Sequence, residues 1–402
     1  MSQVHNFDLT NLSSLKDVDE FVRAAGTWSD GDVVVVDARR LRTTYPNACT
    51  YFAAAVDNLR ITRDIRVQVV NLHKNQKRVR IFDPVTRATH NSGEYPTDEV
   101  WKYSSESEAN YVTRQFMRSI EELIPCEEGV LDTLNWCIYE VLDNVFQHSR
   151  SDCGFAMMQL HVRNRTCVIS VADSGRGIHR AMYDGVESGL IDAARVCFAE
   201  RAIEYAMEQG ITSKGRENQG NGLHGLRRAI EVNGGLLEIT SGKGSLLLEG
   251  GKQDLNHNGY RPLLNSDTAH STVVDWRLDC SRAVVIDRAM GGPVTSGSYI
   301  ESRVEMDGTY VIPAEEVEVH IGSRNEGREL RIRIENILGA GAEYVIVDLT
   351  GVGVISSSFA DEVFGKLAEA YGINVFQSRI FYKGARDLNI SLINKAISNR
   401  LE

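Results

Sequence analysis

Three short strings in the middle of the chain hold residue types that could serve one ligand together. The first is Glu140-Val141-Leu142-Asp143-Asn144. On a helix, an E-x-x-x-N spacing puts the carboxylate and the amide about one turn apart on one face. The carboxylate can take a proton from an attacking water or hydroxyl, and the neutral amide oxygen is a hard ligand for magnesium, which takes few protein ligands. The second is Ala172-Asp173-Ser174-Gly175-Arg176-Gly177-Ile178. Gly175 and Gly177 let the backbone approach a flat ligand closely. Asp173 can accept a hydrogen bond from an exocyclic amine, which suits adenine and gives guanine's carbonyl nothing. The third is Gly220-Asn221-Gly222-Leu223-His224-Gly225-Leu226, preceded by a polar run that contains Lys214 and Arg216. Backbone amides that end on a helix N-terminus suit phosphate. Taken singly, each string also has a plain reading, as a solvated helix face, an aspartate-glycine turn or a charged loop.

The surrounding pattern supplies elements to hold these residues. Leu131, Leu134, Cys137, Ile138, Val141, Leu142 and Val145 keep a helical period, which sets the first string on a helix. Residues 153–162 and 166–172 read as a strand pair that delivers Asp173 at its end. A glycine turn, more helix, the glycine-rich loop, a helix to Asn233 and three strands follow, the last of them Ser271 to Trp276. This pattern predicts an α/β sandwich with helices on one sheet face. The polar stretch 250–259 reads as a loop inserted between two strands. No strand runs directly into the glycine loop, so it is not a dinucleotide turn, and no G-x-x-x-x-G-K-[ST] string occurs.

All three strings, in this order and on these elements, resemble the GHKL ATPases, a superfamily that includes histidine kinases, anti-sigma-factor serine kinases, gyrase B, MutL and a large heat-shock chaperone. The resemblance covers most of residues 115–280 and implies ATP and Mg2+ as cofactors in a Bergerat-type α/β sandwich. It makes Glu140 the general base, Asn144 the magnesium ligand and Asp173 the adenine-binding aspartate. Gly177 matches the glycine beneath the nucleotide. Gly220, Gly222, Leu223 and Gly225 match the ATP lid, where Lys214 would steer phosphates, and Thr272 matches a late-strand threonine near adenine. His148, four residues past Asn144, is read as a packing residue rather than a phosphoacceptor. The helix hairpin of a histidine kinase, with its histidine upstream of the ATP domain, is missing.

Residues 345–362, Val-Ile-Val-Asp-Leu-Thr-Gly-Val-Gly-Val-Ile-Ser-Ser-Ser-Phe-Ala-Asp-Glu, resemble STAS domains and, more closely, the STAS-like modules found beside GHKL domains. In anti-sigma-factor antagonists the matching strand-loop-helix corner carries a phosphorylated serine, and Ser357 takes that position. Ser356 replaces the aspartate of that corner and Phe359 its glycine, and a serine cluster at a helix start also caps orphan amides. Residues 317–321 and 331–334 read as further strands. Near the start, Asp32-Val33-Val34-Val35-Val36-Asp37 reads as a buried strand, followed by a helix over 47–59 that begins after Pro46 and a strand over 67–72. That order echoes residues 344–370 and faintly resembles the same corner without a serine at its tip. The expected domains are therefore a STAS-like α/β domain over 1–95, a GHKL ATP-binding domain over 96–280 and a STAS-like α/β domain over 281–402.

Composition narrows the function. The 402 residues carry a formal charge of −11, which argues against wrapping a nucleic-acid backbone. Seven scattered cysteines without a C-x-x-C pair fit a reduced, cytoplasmic compartment. No run of 18 apolar residues and no basic-then-apolar leader suggests a membrane or secretion. The expected function is a magnesium-dependent ATPase or serine protein kinase in a signalling switch, with protein partners at the STAS-like domains and a homodimer as a further option. The alternatives are a non-catalytic nucleotide switch that controls partner binding and a MutL-like ATP-driven clamp. The short downstream region disfavours the clamp.

Overall fold

The computed structural model describes residues 2–91, 93–208, 211, 222–257, 271–284, 308–318 and 324–401. It divides into two compact units, residues 1–116, 135–279 and 286–293 in one and residues 117–134, 280–285 and 294–402 in the other.

The first unit holds two sheets. The smaller is parallel, β1 (Val4–Asp8), β2 (Val33–Asp37) and β3 (Arg66–Val70), in the order 1-2-3. Its crossovers are helices α1 (Leu15–Ala25) and α2 (Pro46–Arg63). The larger is a seven-stranded antiparallel sheet of β4 (Trp101–Tyr103), β5 (Gly154–His161), β6 (Thr166–Asp173), β7 (Leu236–Ser241), β8 (Gly244–Glu249), β9 (Lys252–His257) and β10 (Thr272–Asp279). Its order is β4-β5-β6-β10-β7-β8-β9. Strand β9 corrects the expectation of a loop over 250–259. Gly250 and Gly251 both take positive φ, 57° and 76°, and turn the chain into a hairpin whose second strand is polar because it lies at the sheet edge.

Side chains alternate across a strand, so Ser170 and Ala172 face one side of β6 while Val171 and Asp173 face the other. Helix α2 covers the first side. Its first three turns are buried almost all round, with Ala48, Cys49, Tyr51, Phe52, Ala53, Ala54 and Ala55 among the buried residues. Small side chains let a helix fit closely between two layers, and an all-round apolar surface calls for such a place. Thr50 bonds Ser170 there at 3.1 Å. One hydrophobic core runs from Phe21, Val34 and Phe52 through to Phe155, Met157, Ala172 and Val273. Helix α3 (Glu106–Leu123) follows β4, and helices α4 (Val130–Asn144), α5 (Gly177–Glu187), α6 (Ala199–Ala206) and α7 (Gly222–Asn233) line a cavity on the other side of the sheet.

The second unit repeats the parallel three-stranded plan with β11 (Thr309–Ile312), β12 (Tyr344–Asp348) and β13 (Ile380–Lys383). Its middle strand, like β2, ends in an aspartate that holds a backbone amide two residues on. Asp37 accepts from Arg39 at 2.9 Å and Asp348 from Thr350 at 2.9 Å. The strand expected at 331–334 is not formed, and of the one expected at 317–321 only 317 and 318 lie within the described residues. Val317 lies in a short helix, Ala314–Glu318, and 331–334 lie inside helix α8 (Arg324–Gly339). The alternation of Leu330, Ile332 and Ile334 imitates a strand, but Leu330, Ile334, Ile337 and Leu338 also share one helix face and all are buried. Arg333 of α8 is buried in ion pairs with Glu121 at 3.1 Å and with Glu316. Asn336 donates to the carbonyls of Glu121 and Ile124 and accepts from the amide of Cys126, which ends that helical run.

Candidate nucleotide site

Strand register places the polar residues. In the antiparallel ladder Gly154 pairs with Asp173, Asp173 with Thr272 and Thr272 with Ser241, one row across four strands. Asp173 and Thr272 therefore stand side by side on the helix-covered face. Thr272 shares a hydrogen bond with Ser241 at 3.0 Å, and the Ser241 hydroxyl takes the Ile178 amide at 2.8 Å, which pins the start of α5. At the head of that helix Gly177 adopts φ 76°, a conformation that favours glycine.

Asp173 is buried, and its Oδ1 accepts the Gly175 amide at 2.7 Å. Burial pushes its carboxyl up to about 7, against the pull of the Gly175 amide and the Ser149 hydroxyl. Gly175 is required by space, since a side chain there would overlap Ser149.

The helix opposite delivers the rest. Past Asn144, α4 continues as a π-helical turn, Val145–Ser149, a form that recurs at functional sites. Asn144, His148 and Ser149 together face a cavity of about 100 Å³ whose walls are otherwise mostly apolar, among them Val141, Val171, Ile178, Met182, Leu223 and Val274. Asp173, Gly177, Gly222 and Thr272 complete it. A mostly apolar cavity with a few convergent polar groups and one buried carboxylate has the make-up of a small-molecule site.

Of the residues singled out from the sequence, Asn144, Asp173, Gly177, Gly222, Leu223 and Thr272 line this cavity. Glu140 stands at its side, where a Cβ on Gly222 would meet its Oε2 at 2.7 Å. Burial and then the neighbouring Asp143 carboxylate raise its carboxyl above the ordinary range. Gly175 lies behind the slot, and Gly225 is buried in α7 against the ring of Trp136. Gly222 and Gly225 thus let two helices approach closely. Lys214 and Gly220 lie outside the described residues. Ser149, Ser241 and the α5–α6 wall escaped the sequence reading, because isolated serines and a hydrophobic insertion carry no motif. Ser357 is exposed at the start of its helix, while the Ser356 hydroxyl caps it by accepting the Phe359 amide at 3.0 Å.

A model of histidine kinase-, DNA gyrase B- and HSP90-like ATPases matches residues 129–253. A model of a STAS-like domain of unknown function matches residues 326–388. No curated protein matches the chain. A solved structure of full-length ShkA in complex with AMPPNP aligns with 97% of this chain and 72% of its own at 11% identity, but its TM-score of 0.23 carries no argument about fold. With the buried aspartate, the glycine turn and the helix that carries Glu140 and Asn144 in place, the chain contains a histidine kinase-, DNA gyrase B- and HSP90-like ATPase domain and, after it, a STAS-like domain.

Proposed function

We propose that the protein binds ATP with magnesium in this slot and transfers or hydrolyses its γ-phosphate as part of a regulatory switch. The observation that carries the reading is Asp173: a buried carboxyl at the floor of an apolar slot, fixed from behind by Gly175 and flanked by Thr272. Adenine's exocyclic amine would donate to it. Asn144 offers a neutral amide oxygen to a magnesium ion, whose remaining ligands would be phosphate oxygens and water. Bound magnesium neutralises charge on the phosphates. Glu140, its carboxyl raised by burial, suits the task of taking a proton from water or a serine hydroxyl near neutral pH. The STAS-like corner supports protein serine kinase activity as one outcome, since Ser357 is exposed while Ser356 does the capping. A phosphate on Ser357 would sit at a helix start, where negative charge is stabilised. We further assign the residues before 96 to a STAS-like module that binds rather than accepts phosphate, on the shared strand order and aspartate turn. Incubation with γ-labelled ATP and magnesium tests the reading, following both released phosphate and acid-stable label on protein. Neither signal from folded protein would leave nucleotide-dependent switching without chemistry. That alternative draws on the capping bond at Ser356, which gives the serine cluster a structural duty.

A further inference from the structure

The helix that carries Glu140 and Asn144 does not end as an α-helix. Its last turn, Val145–Ser149, is π-helical, and Arg150 leaves it at φ 58°. Left-handed residues often end helices, but glycine usually supplies them, and π turns are rare. An arginine in that conformation costs free energy, so groups outside the helix must hold this end. What the turn provides is a place for Ser149. Val141 and Ser149 both line the nucleotide slot. In an unbroken α-helix the step from one to the other would carry Ser149 about 80° round the axis. A π turn bonds each amide to the fifth carbonyl back, turns less per residue and brings Ser149 toward the face of Val141. There Ser149 packs on the glycine turn, where a Cβ on Gly175 would come within 2.7 Å of its Oγ, and its hydroxyl reaches the Asp173 carboxyl.

A helix end leaves its last carbonyls without partners inside the helix. Arg176 takes two of them. Its backbone amide donates to the Ser149 carbonyl at 2.8 Å and its Nε to the His148 carbonyl at 2.7 Å. The far end of its guanidinium is paired with Asp184, which also accepts from Arg150 at 3.0 Å. Arg176 is buried, and a cation at a helix C-terminus meets the negative end of the dipole. On the other flank the Tyr103 hydroxyl donates to the Leu142 carbonyl at 3.3 Å, and its ring meets Phe146 edge-on. Arg176 lies three residues past Asp173 in the same glycine turn. One short segment thus supplies both the carboxylate of the slot and the brace that sets the facing helix against it. A lysine could keep the charge, but it has no planar fork to reach a carbonyl and a carboxylate together.

The geometry points to Arg176 as a positioning residue of the nucleotide slot, which braces the π turn so that Ser149 stands against Asp173 and the slot holds its ligand. This role presupposes an adenine site over Asp173, but the brace itself can be read without nucleotide. The test uses the full chain and its Arg176→Lys and Asp184→Asn variants, first by amide hydrogen exchange without ligand and then by titration with ATP and magnesium between pH 6 and 9. Loss of a charge-assisted bond should speed exchange over residues 145–151 in Arg176→Lys by on the order of tenfold, with strands β5 and β6 unchanged. Affinity for ATP should fall by about fivefold or more at pH 7. The pH below which affinity declines should move upward, since Asp173 loses the Ser149 hydroxyl that favours its ionised form. Asp184 is only half-buried, so Asp184→Asn spares the core and should show the same changes in smaller measure. Unchanged exchange over 145–151 in both variants would overturn the brace. Faster exchange with the parent's affinity and pH profile would overturn the positioning role. A parent chain that binds no ATP would instead overturn the adenine reading, and this role with it, whatever the exchange shows.

Discussion

At the residue scale two carboxylates, Asp173 and Glu140, would carry different duties. As a carboxylate Asp173 would accept adenine's amine more strongly than as a neutral acid, yet burial holds its carboxyl near 7. Below that value protonation competes with the ligand, so affinity for ATP should fall by up to about tenfold per unit as pH drops from 7 to 5. Fluorescence titration across that range checks it; a flat profile would show that the carboxylate is not the acceptor. The same shift has a stability consequence with a definite sign. Between the ordinary carboxyl value and 7 the folded state binds the proton and the unfolded state does not, so folding loses stability as pH rises through that window. Asp173→Asn should therefore melt a few degrees higher than the parent protein at pH 8 without ligand, by calorimetry, and show no such gain at pH 4. Glu140→Ala should keep nucleotide binding and lose turnover by on the order of a hundredfold to ten-thousandfold, read as steady-state phosphate release. That these two residues and Asn144 gather at the cavity was legible because the proposed chemistry needs fixed types at fixed spacing. Ser149 and Ser241 were not, since a serine's duty there comes from strand register and a helix turn that only the folded chain sets.

At the scale of elements, the glycines at the head of α7 have a packing role that their motif conceals. Gly225 faces Trp136, and any side chain on it would overlap that ring. Gly225→Ala gains up to about 1 kcal/mol in helix propensity but overpacks a buried contact, which typically costs about 1–3 kcal/mol. The net change should be destabilising, with α7 pushed from α4 and nucleotide binding weakened; thermal melting and ATP titration of the variant check both. Unchanged melting would mean that the helices do not meet at this pair. Element types were readable from the sequence wherever period and boundary residues agreed. The helix after Pro46 runs Pro46–Arg63, and the strand pair runs Gly154–His161 and Thr166–Asp173. Reading failed where two periods overlapped, as in 330–338, and where a polar edge strand looked like a loop, as in Lys252–His257. In both cases the deciding contacts come from distant segments.

At the scale of the molecule, the first unit joins what composition divides. A shift to polar sequence near residue 95 suggested a boundary, yet Phe155, Met157, Ala172 and Val273 of the large sheet share a core with residues 9–81. A period or a turn cannot announce which sheet face a helix will cover, and the run of small and aromatic residues over 48–55 in α2 is the signal that two layers enclose it. Removing residues 1–95 should expose that face, and each large side chain uncovered forfeits roughly 1.5–3 kcal/mol. Such a truncated chain is expected to aggregate or to melt well below the full chain, even though residues 129–253 alone match the ATPase family. A soluble, ATP-binding fragment of 96–280 with the full chain's melting temperature would refute the shared core. The central claim, that the slot over Asp173 is an adenine site, is tested most directly by calorimetric titration with ATP and with GTP, in magnesium, of the full chain and its Asp173→Asn variant. The account predicts saturable binding of ATP, far weaker binding of GTP and no measurable ATP binding by the folded variant. Equal affinities for the two nucleotides, or undiminished ATP affinity in the variant, would contradict it.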